Sequence, residues 1–160
     1  VVSVTQIQSG TANNIIPQEA LFTGTLRSFK PEVRALIKDR FYTLIETIAG
    51  AMGCQAEIDF IKVTEPVIND PQVAGLMAQV AAEVDPQAKI DTAFQTMGGE
   101  DFSLMMQTIP GCFMMVGSAD PERGLNYGHH HPKFDIDEAC LPFAVAILAQ
   151  GAVKVLETRF

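Results

Sequence analysis

The chain has 160 residues, 48% of them hydrophobic and 19% charged, which is the composition of a globular protein long enough for a core but short for two complete domains. Its 11 Lys and Arg against 19 Asp and Glu leave a formal net charge of −8 without any basic run, which disfavours nucleic acid and an anionic membrane surface as partners. No apolar run approaches the length of a membrane span and the first residues lack the order of a signal peptide, so we expect a cytoplasmic protein with no membrane partner.

The first part of the chain predicts the order strand, strand, helix, strand. Residues 1–7 alternate as a strand from the first position, without an initiating methionine, which we interpret as the result of a cut. A second strand is expected over 20–27, with Phe22, Gly24 and Leu26 on a core face. A long helix from Pro31 to a stop at Gly53 and a third strand over 54–63 complete half of a split αβ sandwich.

Prolines at 66 and 71 mark a boundary, after which a second, α/β unit begins. Asp70 is expected to cap a helix that starts at Pro71 and ends near Asp85. The glycine-bounded apolar run 111–117 predicts a strand buried on both faces. Short and closing helices are expected over 101–107 and 141–158, the latter with the apolar stripe Leu141, Val145, Leu148, Ala152, Val155 and Leu156.

The cysteines and histidines are distributed very differently. Cys54, Cys112 and Cys140 are odd in number, far apart and flanked by apolar or small residues, which favours reduced core thiols over disulfides or a zinc knuckle. All three histidines lie together at 129–131, in an acidic loop stopped by proline. Histidine is the commonest metal ligand, although on spacing alone three solvated loop histidines are the simpler interpretation.

Four motifs in chain order carry a resemblance to a known family: NIIP (14–17), GTLR (24–27), MGGEDF (97–102), and HHP followed by FDIDE (130–138). The chain resembles the C-terminal part of the zinc-dependent amidohydrolases related to aminoacylase, hippurate hydrolase and the plant indole-acetyl-amino-acid hydrolases. The resemblance covers essentially the whole chain but not the whole family fold. It implies an α/β protein in two parts: 1–66 as an incomplete ferredoxin-like lid (dimerisation) domain, and 67–160 as the C-terminal part of a phosphorylase/hydrolase-like α/β catalytic domain.

The resemblance also implies a chemistry. Such enzymes hydrolyse the amide bond of N-acyl amino acids with two divalent ions, zinc or manganese, held by a Cys-x-His pair, two adjacent glutamates and further histidines. This chain has no cysteine two residues from a histidine and no Glu-Glu pair, and the catalytic base has no counterpart either. We therefore interpret it as the C-terminal section of such an enzyme, with no catalytic residue of its own and inactive in isolation.

Two residues of this chain match ligand-binding positions of the family, and a third is a candidate for substrate binding because it ends a strand on its polar face. His130, two positions before proline, matches the final metal ligand, whereas His129 and His131 are expected on the opposite side of an extended segment. Asn14 matches a lid asparagine that reaches the substrate through its carboxamide, with a plain turn asparagine as the alternative. Arg27 could grip a substrate carboxylate bidentately, or be a solvated arginine at a strand end.

The MGGEDF motif is expected to border the substrate pocket. Gly98 and Gly99 would let the backbone turn tightly close to a ligand, and Glu100 and Asp101 could orient metal ligands. The alternative is that Asp101 merely caps the next helix. Gly99 takes a place often held by serine in the family, which leaves the substrate preference open.

These observations lead to one expected function and two alternatives. We expect a metal-dependent amidohydrolase of N-acyl amino acids that forms a homodimer through its lid. A non-catalytic oligomerisation or binding module, in which an exposed sheet edge pairs with a partner, is the first alternative. Adventitious metal binding by residues 129–131 is the second.

Overall fold

The computed structural model describes residues 1–158, and the chain divides into two compact units. The first unit comprises Val1–Pro66 together with Gln95–Glu100, and the second comprises Val67–Phe94 together with the chain from Asp101 on. The segment Gln95–Glu100 therefore lies with the first unit, although the sequence division at residue 66 assigns it to the second part. That second part was expected to run to residue 160, and its last two positions lie outside the described residues.

The first unit begins with an antiparallel pair of strands, β1 (Val2–Ser9) and β2 (Ala20–Leu26), in which Val2 lies opposite Leu26 and the register shifts between Val4 and Gln6. The strands approach closely at Gly24, where an added Cβ would lie 2.2 Å from the carbonyl oxygen of Ser3. The core face expected on the second strand is not buried: Phe22, for example, is 60% exposed. The reason is that the sheet has only two strands among the described residues, which leaves this face uncovered.

The long helix α1 (Pro31–Ala51) begins and ends as the sequence predicts. Pro31 is its first residue and Glu32 lies in its first turn, where a carboxylate faces the positive end of the helix dipole. After the C-cap Met52, Gly53 adopts a left-handed φ of 72°, and the N–H of Cys54 donates to the carbonyl of Ala49 at 2.8 Å. A glycine in this conformation closes the helix without steric cost.

The third strand expected over 54–63 is not formed, so that prediction is wrong. A strand is defined by hydrogen bonds to a neighbour, and no other described strand pairs with this segment. The segment is instead anchored to α1 by side chains: the Lys38 ammonium lies 4.6 Å from the ring centroid of Phe60, and the Arg34 guanidinium donates to the Glu65 carboxylate at 2.9 Å. Lys62 forms a second ion pair with the same carboxylate.

The second unit contains the helices α2 (Pro71–Val84), α3 (Phe102–Met105) and α4 (Cys140–Glu157). The cap predicted at Asp70 is confirmed, because its Oδ1 accepts the N–H groups of Gln72 at 2.9 Å and Val73 at 3.0 Å. The helix expected over 101–107 is shorter than predicted and covers only α3.

The core of this unit lies between α2 and α4. Val80, Ala81 and Ile147 are buried there, with Met77 packed against them. Gly151 provides the space for Met77, since a Cβ at Gly151 would lie 2.5 Å from the Met77 sulfur. At the edge of the contact, Lys154 donates to the Glu83 carboxylate at 2.5 Å.

The face that α4 turns toward α2 differs from the predicted stripe. Ile147 and Gly151 are buried, whereas Leu148 is 72% and Leu156 86% exposed. Because α4 is apolar over most of its circumference, spacing alone could not select the packed face. Among the described residues, α4 also has the length and the apolar composition of a helix that could cross a membrane, although the sequence analysis expected no apolar run of that length.

The run 111–117 was expected as a buried strand and is not one in the structure. Its first four residues are half-buried and its last three exposed, with no strand neighbour among the described residues. The side chain of Asn69 takes the place of a neighbouring backbone: its Nδ2 donates to the carbonyl of Phe113 at 3.0 Å, and its Oδ1 accepts the Phe113 N–H at 2.8 Å. The N–H of Asp70 also donates to the Gly111 carbonyl at 2.9 Å.

Candidate functional site

Arg27 and the MGGEDF segment meet in the first unit. Arg27 directly follows β2, and its backbone N–H donates to the carbonyl of Val1 at 2.9 Å, which fixes the strand end. Its guanidinium Nη1 donates to the carbonyl of Met97 at 2.6 Å and would lie 3.8 Å from a Cβ at Gly99. The structure thus joins two motifs that are 70 residues apart in sequence.

The glycines of this segment do not form the expected tight turn. The left-handed φ values in the described chain belong to other glycines and to His130, and Gly98 and Gly99 are not among them. A Cβ at Gly98 would come no nearer than 3.7 Å to Thr96, and one at Gly99 no nearer than 3.7 Å to Thr64, which is ordinary contact. The backbone conformation therefore does not require glycine at either position.

Glu100 belongs to the first unit and Asp101, the next residue in sequence, to the second. Glu100 is half-buried and Asp101 exposed. Asp101 occupies the N-cap position of α3 but has helical backbone angles and makes no side-chain cap hydrogen bond, so the alternative prediction of a capping role is wrong.

Asn14 stands apart from these residues. It lies in the exposed loop between β1 and β2. Within residues 1–158, its side chain forms no hydrogen bond, so the structure does not connect it with Arg27 or with the segment at 97–100.

The histidines lie in the second unit, in a turn rather than the predicted extended segment. His130 has a left-handed φ of 67°, and the N–H of His131 donates to the carbonyl of Gly128 at 3.2 Å. His131 stacks on Tyr127 with ring centroids 4.3 Å apart, and its Nδ1 accepts the N–H of Lys133 at 3.0 Å. Both flanking imidazoles have partners, since His129 packs edge-on against Phe134 at 5.1 Å.

His130 differs from its neighbours because its imidazole makes no hydrogen bond or ring contact with any described residue, and it is exposed. An imidazole in this state can donate a nitrogen lone pair to a borderline metal such as zinc. Across residues 1–158 there is no group of three or more His, Cys, Asp or Glu side chains arranged to hold a metal. A metal site that included His130 could therefore not be completed with three such side chains from residues 1–158 alone.

The three cysteines were expected to be reduced thiols in the core. All three are free thiols, as expected, but Cys54 is exposed rather than in the core. Burial raises the pKa of the half-buried Cys112 thiol, which keeps it protonated and unreactive.

Sequence reasoning missed the residues that shape the histidine turn. Tyr127 and Lys133 fix His131, and the Lys133 ammonium lies 5.7 Å from the Tyr127 ring centroid. At the base of the loop, the Arg123 guanidinium donates to the Asp137 carboxylate at 2.8 Å. An aromatic and a cation flanking a histidine cluster were the available signal.

A separate depression of about 400 Å³, lined by 68–71 and 106–111, contains none of the predicted site residues.

Comparison with known proteins gives a consistent result. The profile of Peptidase family M20/M25/M40 matches residues 3–154. N-acetylcysteine deacetylase of Bacillus subtilis (strain 168) is 37% identical over 158 residues, which are 99% of this chain and 40% of that protein. Thermostable carboxypeptidase 2 of Saccharolobus solfataricus is 32% identical over 155 residues, which are 96% of this chain and 39% of that protein.

A solved structure extends the similarity to the fold. The YXEP protein of Bacillus subtilis, described as a dinuclear metal binding peptidase from the M20 family, matches with a TM-score of 0.80 and 35% identity over 99% of this chain and 42% of that chain. The chain thus spans about two fifths of the length of the relatives it matches. Because the family profile covers nearly every residue and the fold agrees, this chain belongs to Peptidase family M20/M25/M40.

Proposed function

We propose that this chain is part of a metal-dependent amidohydrolase that cleaves the amide bond of N-acyl amino acids. In this proposal the first unit is part of a ferredoxin-like lid and the second is the C-terminal part of an α/β catalytic domain. Family membership supports hydrolase chemistry, and two kinds of relative are named as deacetylases of N-acetylcysteine and N-acetyldiaminopimelate. Both names describe an amino acid that carries an acyl group on nitrogen.

The observation that carries the proposal is the position of the Arg27 side chain. Its Nη1 donates to the Met97 carbonyl at 2.6 Å, so one end of the guanidinium is anchored by the protein itself. A guanidinium has five N–H donors in one plane, and the fork that remains matches the two oxygens of a carboxylate. A fixed cation at this place suits a substrate that keeps a free α-carboxylate next to its acylated nitrogen.

We further propose that the intact protein binds two divalent ions, zinc or manganese, with His130 as one ligand. The dinuclear description of the Bacillus subtilis relative and the exposed His130 imidazole support this. Such ions, when bound, lower the pKa of a coordinated water and so supply the nucleophile. In this proposal Arg27 binds the substrate carboxylate and Asn14 donates to the acyl oxygen through its carboxamide. His130 binds one ion.

The test uses the protein at full family length with N-acetyl amino acids as substrates. Arg27→Gln should raise KM about tenfold or more while kcat changes little, because a carboxylate grip acts on substrate and transition state alike. Wild-type enzyme given the corresponding N-acetyl amino acid amides, which lack the carboxylate, should resemble the variant with its natural substrate. Arg40→Gln, at an exposed arginine of α1, is the matched control and should leave KM unchanged. Equal KM values for the Arg27 variant and wild type would contradict the carboxylate assignment.

Two further measurements address the metal. His130→Ala should reduce zinc content and activity far more than His129→Ala, because only His130 lacks a partner in the turn. The 160-residue chain by itself should show no chelator-sensitive turnover, since the described residues hold no three-ligand metal site. Turnover by that chain, with contaminating enzyme excluded, would overturn the assignment of the remaining ligands to other parts of the protein.

A second candidate function is a non-catalytic oligomerisation or binding module. The two-stranded sheet favours it, because each strand has one neighbour and therefore one open edge among the described residues. We propose that the intact protein also uses this unit to form a homodimer. A protein of full family length that dimerises but neither binds zinc nor hydrolyses N-acetyl amino acids would favour this candidate over the enzyme.

A further inference from the structure

The histidine turn contains the chain's one described non-glycine residue with a left-handed backbone, His130 at φ 67°. For an L-residue this conformation is unfavourable, and it persists only where surrounding contacts determine it. Strain of this kind concentrates at functional sites, so the contacts that impose it identify residues that serve the site.

The neighbouring residue His131 is held by contacts of both its ring and its backbone. That ring stacks on Tyr127 with an interplanar angle of 12°, and its Nδ1 accepts the backbone N–H of Lys133 at 3.0 Å. The backbone of His131 is fixed as well: its N–H donates to Gly128 and its carbonyl accepts from Phe134 at 2.9 Å. Because these four contacts hold His131, the peptide bond between His130 and His131 has little rotational freedom.

The contacts on the other side of the turn are complementary. His129 packs edge-on against Phe134, so the rings on either side of His130 are each occupied. The middle imidazole is left without a partner among the described residues and is exposed. The turn therefore fixes the backbone of His130 while leaving its side chain available to a ligand.

We propose that Tyr127 is a positioning residue for metal binding: by holding the His131 ring, it keeps His130 in the left-handed conformation that presents its imidazole to the metal. This inference rests on the proposed function for the metal itself. The mechanical part does not, because the stacking of Tyr127 on His131 involves only residues of this chain.

The first experiment measures that coupling without metal, by urea unfolding of the full-length protein in the presence of a chelator. His130→Gly should raise the unfolding midpoint, because glycine adopts a positive φ without cost. In a Tyr127→Leu background the same substitution should raise the midpoint by less than half as much, since the turn is already free to relax. His130→Ala is the control and should give no such gain. An equal gain in both backgrounds would overturn the positioning role.

The second experiment measures zinc affinity by competition with a chelating dye. Tyr127→Leu should weaken binding about three- to tenfold, the range expected for loss of one aromatic pair, whereas Tyr127→Phe keeps the ring and should stay within about twofold of wild type. His131→Leu removes the other ring and should match Tyr127→Leu, with no added loss in the double variant. Unchanged affinity in both leucine variants would overturn the proposal.

The two experiments separate this inference from the proposed function. If wild-type protein bound no zinc, the metal-dependent function and the assignment of Tyr127 to metal binding would both be overturned. If wild-type protein bound zinc and Tyr127→Leu bound it equally well, only the positioning role would fail.

Discussion

Gly24 and Gly50 show how differently two glycines of one unit depend on the absence of a side chain. A Cβ at Gly24 would lie 2.2 Å from the Ser3 carbonyl oxygen, whereas one at Gly50, in α1, would have no atom within 4 Å. The glycine of the GTLR motif is therefore explained by the close approach of β1, in which Val4 pairs with Gly24.

Gly24→Ala should destabilise the protein by about 1–3 kcal/mol, because the obstacle is backbone and the strands must move apart. Gly50→Ala is the matched control and should stabilise it by about 0.5–1 kcal/mol, the gain of alanine over glycine inside a helix. Urea unfolding of the two variants measures both free energies. A neutral Gly24→Ala would contradict the close approach of the strands.

At the scale of elements, the Asn69 side chain substitutes for a strand. It makes one donor and one acceptor bond to Phe113, the pattern by which backbones pair in a sheet. A carboxamide can do both, whereas a carboxylate has no N–H to donate.

Asn69→Asp should therefore destabilise the second unit by about 1–3 kcal/mol, because the Phe113 carbonyl loses its donor and faces a negative charge instead. Asn13→Asp, in the exposed loop between β1 and β2, makes the same chemical change without such a partner and should alter the unfolding free energy by less than about 0.5 kcal/mol. Hydrogen exchange at the Phe113 amide gives a local readout in Asn69→Ala, which removes the acceptor of that N–H, and unchanged protection in this variant would refute the pairing.

The contact between α1 and residue 65 predicts a pH dependence. The hydrogen bond from Lys62, together with the Arg34 guanidinium, holds the pKa of Glu65 below its usual value of 4.5, against a smaller opposing effect of desolvation. A lowered pKa in the folded state means that the pair stabilises the protein above about pH 4.5 and that this contribution is lost as the pH falls through the lower, folded-state value.

Unfolding free energies of wild type and Glu65→Gln should accordingly differ at pH 7 and converge below pH 4.5. Glu57→Gln serves as the control, as its exposed carboxylate forms no ion pair with any described residue. A difference that persists unchanged to acidic pH would show that the effect of Glu65 is not electrostatic.

Local signals in the sequence were sufficient for both ends of α1 and for the start of α2, although not for α3. Pro31, Gly53, Asp70 and Pro71 act through their own backbone or through residues two or three positions away, and each is found where predicted. The segments 54–63 and 111–117 have strand composition, but whether they form strands depends on a partner distant in sequence, which composition does not specify.

The candidate site shows the same division. The motifs located Arg27 and His130, but the carbonyl that holds Arg27 lies 70 residues away and the rings that fix the histidine turn follow from its three-dimensional path. The choice between Leu148 and Ile147 as the buried residue of α4 likewise depends on where α2 lies. Each of these needed tertiary structure.

At the scale of the whole molecule, the exposed surface is large. The chain exposes 12934 Å², whereas two separate compact units of this combined mass would expose about 9,400 Å². Many large apolar side chains contribute to it, such as Leu44 in α1, which is 60% exposed, and Met52 at its C-cap, which is 77% exposed. Apolar surface of this extent favours association.

The isolated 160-residue chain should therefore self-associate, and sedimentation velocity across a concentration series should show a weight-average mass that rises with concentration. A protein of full family length, with its additional residues, should instead reach a constant mass. A strictly monomeric 160-residue chain with a protected first strand by hydrogen exchange would show that the first unit is complete as it stands.

The fit of Met77 into the space left by Gly151 has a chemical consequence. Oxidation converts the thioether into a sulfoxide, which is bulkier and polar, and places an oxygen against the apolar contact of α2 with α4. Mild peroxide treatment should therefore lower the thermal midpoint of the wild-type protein more than that of Met77→Leu, with peptide mapping to confirm that exposed Met52 is oxidised equally in both. The contact between these two helices would thus make the stability of this unit sensitive to oxidants, although its cysteines form no disulfide.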